Sequence, residues 1–179
     1  MTRQTASAII VMGVSGAGKS SVGERLADAL NCDFAEGDRL HPPSNVEKMA
    51  KGIPLTDEDR WPWLDLVGQE LARAVAEGRS LVLSCSALKR VYRDRLRAAA
   101  GGNLKFVFLK GTPELLEIRM GERTGHFMPL SLLHSQLATL ETPEDEEGVV
   151  TVTIDRTLDE IVEAAEKGLS KLGHRSDSR

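Results

Sequence analysis

At 179 residues, 41% of them apolar, the chain has the length and composition of one globular domain with its own core. Its 27 acidic against 23 basic residues give a net charge of −4, which argues against a general nucleic-acid binder but leaves room for a local anion site. No apolar run reaches the ~18 residues of a membrane-spanning helix, so no membrane association is expected.

The opening MTRQTASAIIVMG has too short an apolar stretch for a signal peptide. Its AIIVM, at 8–12, is the first expected strand, continuously apolar as strands covered on both faces are. A glycine-rich turn follows, then a helix in which Val22, Leu26 and Leu30 recur at four-residue spacing and Asn31 marks the stop. DFAE at 33–36 is the second strand. Ser44 with Glu47 then reads as a capping box for the helix SNVEKMAKG, with Pro43 just outside it. Leu64, Val67, Leu71 and Val75 make a helical stripe that ends at Gly78. LVLSC at 81–85 is the third strand, and Leu88, Tyr92, Leu96 and Ala99 stripe the helix after it. LKFVFL at 104–109 is the fourth strand; Thr112, Pro113 and Glu114 supply a cap, a proline at the first helical position and an early acid. ETPEDEEG at 141–148 reads as a solvated acidic loop. VVTVTI at 149–154 is the fifth strand, read as buried on both faces, and Thr157 with Glu160 forms a capping box for the last helix. Cys32 and Cys85, the only cysteines, read as buried free thiols of a protein in a reducing cytoplasm.

Strands alternating with helices through short loops predict an α/β domain with a parallel five-stranded sheet and helices on both faces. Residues 1–179 form this single domain. The strandless segment 42–78 is expected to project as a small helical subdomain, with a second excursion at about 121–135.

GVSGAGKS, Gly13 to Ser20, lies directly after the first strand and matches the phosphate-binding P-loop pattern. Gly13, Gly16 and Gly18 let the backbone turn tightly and approach phosphate oxygens. The N–H groups of this turn, from Ser15 through Gly16, Ala17, Gly18, Lys19, Ser20 and Ser21, form a nest backed by a helix N-terminus. Lys19 reaches the β- and γ-phosphates of ATP, and the Ser20 hydroxyl coordinates Mg²⁺. No guanine-reading N-K-x-D element is present, and the third strand ends in SCSALK, without the aspartate of a Walker B strand. The nearest acids after a strand are Glu36 and Asp38. That architecture leans towards a small kinase.

EGDRLHPPSNVEKM, residues 36–49, supplies acceptor chemistry. Asp38 is the candidate base for a hydroxyl proton, or holds Mg²⁺ through a water. His41 is a candidate hydroxyl partner. Arg60 stands among acids ahead of Trp61 and Trp63, which read as hinge and core packing. CSALKRVYRDRLR offers Ser86, Lys89 and Arg93, with Lys89 and Arg93 four apart on one helix face towards the crevice where such sheets bind ligands.

Together GVSGAGKS, GDRLHPPSNVEKMAKGIPLTDEDRWPWL, CSALKRVYRDRLR, FLKGTPELLEIRM and GHFMPLSLLHSQLATLE closely resemble the gluconokinase family, over about residues 9 to 155. The resemblance implies a P-loop fold like that of the nucleoside monophosphate kinases, a mobile lid, a homodimer, and ATP-dependent formation of 6-phosphogluconate. A carboxylate on a chain of hydroxyls wants cationic and polar partners, so Arg60, Lys89 and Arg93 are expected at the acceptor carboxylate, and Asp38, His41 and Ser86 at its hydroxyls. The resemblance also implies that Arg119 and Arg123, at the mouth of the lid, pack on adenine or embrace the transferring phosphoryl group. Two other readings stay open: a kinase of another small acceptor, shikimate-like or a nucleoside monophosphate, and a nucleotide-binding regulator.

Overall fold

Five parallel strands hydrogen-bond in the order β2-β3-β1-β4-β5 in the computed structural model, which describes residues 6–122 and 129–176. They are β1 (Ala8–Met12), β2 (Asp33–Glu36), β3 (Leu81–Ser84), β4 (Leu104–Lys110) and β5 (Val149–Thr153). The helices are α1 (Lys19–Leu30), α2 (Pro43–Ala50), α3 (Asp57–Ala76), α4 (Arg90–Ala99), α5 (Pro113–Glu122), α6 (Leu130–Thr139) and α7 (Leu158–Ser176). β1 sits centrally, with Ile9 level with Val82 on one side and Lys105 on the other. Helices cover both faces, α1 beside α7 and α3 beside α4, which is why all five residues of β1 are buried. Each of its larger side chains, Ile9, Ile10, Val11 and Met12, contributes about 1.5–3 kcal/mol on leaving water.

Local chemistry sets the element ends. Asn31 adopts the left-handed conformation and donates to the carbonyls of Ala27 and Asp28, ending α1. Glu160 N–H donates to the Thr157 hydroxyl and Thr157 N–H to the Glu160 carboxylate, the capping box expected at α7. At α2 the expectation fails. Pro43 is inside the helix at its first position, Pro42 precedes it, and no side chain caps it. Proline at that position loses no hydrogen bond, since the first helical N–H groups have no intrahelical partner. The capping box lies instead at Thr56 and Asp59, opening α3.

Three other expectations change. β5 is an edge strand, so only Val152 is buried and its neighbours are partly or fully exposed. Cys85 is buried as expected, and burial pushes its thiol up to about 12, whereas Cys32 is only partly buried. The acidic run is not simply solvated: Glu146 sits beneath the surface, bonded to Arg93 and Arg97. Residues 42–78 form α2 and α3 as expected, but Leu64, Val67, Leu71 and Ala74 of α3 belong to the main core. Among the described residues, no helix is long and apolar enough to cross a membrane.

Candidate active site

The site lies at the carboxyl ends of the strands, where the chain leaves β1 and its neighbour β3 in different directions. The turn after β1 holds Gly16 and Gly18 at φ 85° and 89°, a region costly for any residue with a Cβ. A Cβ on Gly16 would also approach the Met120 side chain at 3.1 Å, so α5 rests directly on this turn. No side chain caps the N-terminus of α1 and its first turn carries no acid, which leaves that positive end open to a phosphate. Lys19 Nζ donates to the Val14 carbonyl at 3.1 Å, folding the lysine back over the turn. Gln136 of α6 meets the same turn: its Oε1 accepts from the Ser15 N–H at 2.8 Å and from the Ser15 hydroxyl at 3.1 Å.

β2 delivers Glu36 to the Ser20 hydroxyl. Its carboxylate accepts from the Ser20 hydroxyl at 2.6 Å and from the Ser84 hydroxyl, at the end of β3, at 2.7 Å. Ser20 and Glu36 offer hard oxygen donors, the ligand type Mg²⁺ takes alongside phosphate oxygens and waters. Of the two acids that the sequence offers here, Glu36 and Asp38, the one on the Ser20 hydroxyl is Glu36, the last residue of its strand. Gly37 follows because nothing larger fits: a Cβ there would stand 2.0 Å from the Ser84 carbonyl oxygen.

A 3-10 turn over Gly37–Leu40 then carries Asp38 into a pocket of about 530 Å³, open solvent included. Lys19, Asp38, His41, Arg60 and Ser86 share its wall, so five of the residues predicted for catalysis and the acceptor come together. Trp63, Met49, Pro54, Leu55 and Leu88 add apolar surface, and Ser15, Leu132, Ser135 and Gln136 close the side towards α6. Trp63 is more than core packing. Its indole N–H donates to the Gly37 carbonyl at 2.8 Å and its ring stacks on His41 with centroids 4.0 Å apart.

The tautomer of His41 follows from its partners. Asn45 Nδ2 donates to the Asp59 carbonyl at 2.9 Å, and a carbonyl only accepts, so the same nitrogen, 3.2 Å from His41 Nδ1, donates there too. The proton of the neutral ring is therefore on Nε2. Burial, reinforced by Arg60 and opposed by Asp38, lowers His41 to about 4. The ring is a neutral donor, not an acid or base at ordinary pH.

Of the three cations expected at the anion end, only Arg60 lines the pocket. Lys89 is bonded to Asp57 at 3.1 Å and does not line it. Arg93 corrects the reading most clearly. Its side chain is fully buried; it pairs with Glu146 at 2.6 Å and donates to the carbonyls of Ala87, Leu88 and Glu141. The four-residue spacing gave it a shared face with Lys89, but Lys89 precedes α4 and Arg93 turns inward. Arg119 bonds the Ile154 carbonyl at 2.5 Å, beyond the end of β5. Arg123 lies outside the described residues, as does part of the expected lid at 121–135.

A phosphate-binding turn, an acid at the end of β2 and a polar acceptor pocket on a five-stranded parallel sheet define a P-loop kinase. Residues 9–143 match the family described as AAA domain. The chain is 51% identical to the gluconokinase of Gluconobacter oxydans over 87% of its own length and 86% of that protein. It is 38% identical to the thermosensitive gluconokinase of Escherichia coli, over 95% and 96%. A crystal structure of a gluconokinase from Sinorhizobium meliloti superposes with a TM-score of 0.89 at 53% identity, covering 98% of this chain and 99% of that one. The chain belongs to the gluconokinase family.

Proposed function

We propose that this protein transfers the γ-phosphoryl group of ATP to the terminal hydroxyl of D-gluconate, giving 6-phospho-D-gluconate and ADP. The observation that carries the reading is the single pocket in which Arg60, His41, Ser86 and Asp38 stand beside Lys19. Gluconate is a carboxylate on a chain of hydroxyls. Arg60 meets the carboxylate through charge-assisted hydrogen bonds. His41 donates through Nε2–H to one hydroxyl, and Ser86 bonds another. Asp38 orients the terminal hydroxyl towards the phosphorus and accepts its proton as the new P–O bond forms. Lys19, with Arg119 and Arg123 at the lid, neutralises charge on the phosphoryl oxygens. Mg²⁺, held by Ser20 and Glu36, supplies further charge neutralisation when bound. The segment 42–78 is the acceptor side and about 121–135 the lid, whose closure excludes water and suppresses hydrolysis of ATP.

The test is ADP release from Mg-ATP with D-gluconate, shikimate, AMP or no acceptor in parallel. Release dependent on gluconate is expected, with Asp38→Asn lowering kcat by about 10²–10⁴-fold. Release dependent on shikimate or AMP instead would sink the acceptor assignment and keep the kinase. ATP binding with no acceptor-dependent release would point to a regulator.

A further inference from the structure

Arg60 reaches the acceptor pocket through a chain of polar contacts that the catalytic reading does not use. Its Nη1 donates to the Tyr92 hydroxyl at 3.0 Å, and that hydroxyl donates in turn to Asp57 Oδ1. Asp57 Oδ1 also accepts from Lys89 Nζ at 3.1 Å. A phenol has one proton to give; Asp57 takes it, and the lone pairs left over face Arg60. The Tyr92 side chain is itself fixed, being buried and set edge-on to Trp61 at 5.6 Å.

The consequence is electrostatic. Asp57 is matched by Lys89, while no carboxylate among the described residues lies within salt-bridge distance of Arg60. Burial and the bond to Asp57 raise the phenol above its ordinary 10, so the group between arginine and acid stays neutral. A direct Arg60–Asp57 pair would turn the guanidinium away from the pocket and offset the charge that an anionic acceptor needs.

We propose that Tyr92 is a positioning residue for acceptor specificity, a neutral spacer that aims the Arg60 guanidinium into the acceptor pocket while holding it off the Asp57 carboxylate. The proposal rests on the gluconate reading, and on Arg60 as the partner of the acceptor carboxylate.

A double-mutant cycle tests it, with Tyr92→Phe, Arg60→Met and the pair assayed for kcat and KM with D-gluconate. The phenylalanine keeps the ring and deletes only the hydroxyl. Tyr92→Phe is expected to raise KM for gluconate about tenfold, with kcat changed less than about twofold, as loss of one well-placed polar contact does. In the Arg60→Met background the same change is expected to move KM by less than about twofold, because nothing remains to be aimed. An equal effect in both backgrounds, or a fall in kcat without a rise in KM, overturns the spacer. If Arg60→Met leaves KM unaltered, the carboxylate assignment of Arg60 fails and the spacer with it. If gluconate is not phosphorylated by the unaltered enzyme, the acceptor reading itself has failed. Should Tyr92→Phe not fold, Asp57→Ala breaks the same chain at a more exposed link. It is then expected to raise KM by a smaller factor, again only with Arg60 present; no rise overturns the proposal.

Discussion

His41 shows how much of one residue's chemistry its neighbours decide. Trp63 covers one face of the ring, and Asn45, itself held by the Asp59 carbonyl, fixes Nδ1 as an acceptor. With its value lowered from 6.5 to about 4 by burial, the folded chain keeps the ring neutral where the unfolded chain protonates it. The stability it contributes is therefore complete above about pH 6.5 and drains away as pH falls towards 4. For activity the expectation is a donor indifferent to pH. His41→Phe preserves a stacked ring and removes the donor. It should raise KM for gluconate about 5–30-fold, the cost of one acceptor hydroxyl left unmatched. The pH profile of kcat/KM between 5.5 and 8 should keep its shape in the variant. An acid limb near 6.5 in the unaltered enzyme that disappears in His41→Phe would show a titrating base and overturn the assignment. A proton NMR titration of the imidazole, with its midpoint near 4, checks the same point directly.

Two elements meet at the phosphate-binding turn. α6 presents Gln136, whose carbonyl oxygen accepts from the Ser15 N–H and hydroxyl, bonds that an incoming phosphate oxygen would take. Nucleotide binding at this turn therefore competes with an intramolecular acceptor. Gln136→Ala removes the competitor, and Mg-ATP should bind about 3–10-fold more tightly by calorimetry. Weaker binding in the variant would mean that Gln136 assists the nucleotide instead. Elements of this kind divide what the sequence makes legible from what it hides. The P-loop is contiguous, so its role follows from spacing alone, and β1, β3, β4 and β5 follow from short apolar or β-branched runs bounded by turns. Gln136 meets Ser15 across 121 residues, and no local pattern signals the pairing. Glu36 was visible as the last residue of a strand, but alternation along a strand puts positions 36 and 38 on one side. No local pattern says that β2 ends at Glu36 and that a 3-10 turn then carries Asp38 away. Arg93 was misread because a period of four places residues on one face without saying whether that face looks into the crevice or the core. Pro43 was misplaced because Ser44 and Glu47 match the capping pattern, while proline at the first helical position dispenses with it.

At the scale of the molecule, the buried arginine binds distant parts of the chain into one site. Arg93 of α4 bridges Glu146, in the loop before β5, to the carbonyls of Ala87 and Leu88, in the loop after β3 that carries Ser86. Ala87 sits at φ 47°, a left-handed conformation unusual for alanine, and Arg93 Nη1 clamps its carbonyl at 2.8 Å. Burial alone would raise the Glu146 carboxyl, but its bonds to Arg93 and Arg97 outweigh that and hold it below 4.5. Its folded value being the lower one, the pair's contribution is present above about pH 4.5 and lost as the solution is acidified past it. Glu146→Ala leaves a buried guanidinium without its counter-ion, which should cost about 3–5 kcal/mol. In a chain of this size that lowers Tm by roughly 6–20 °C. Replacing both partners by apolar residues often restores stability at a buried ion pair. Here it should not. Arg93 also serves three backbone carbonyls, and Arg93→Met with Glu146→Leu leaves all three without that donor, so the double variant should remain at least about 2 kcal/mol less stable than the unaltered chain. Denaturant unfolding of the single and double variants decides the matter. A double variant as stable as the unaltered protein would reduce Arg93 to the partner of Glu146 alone, and the loop bearing Ser86 would owe its conformation to something else.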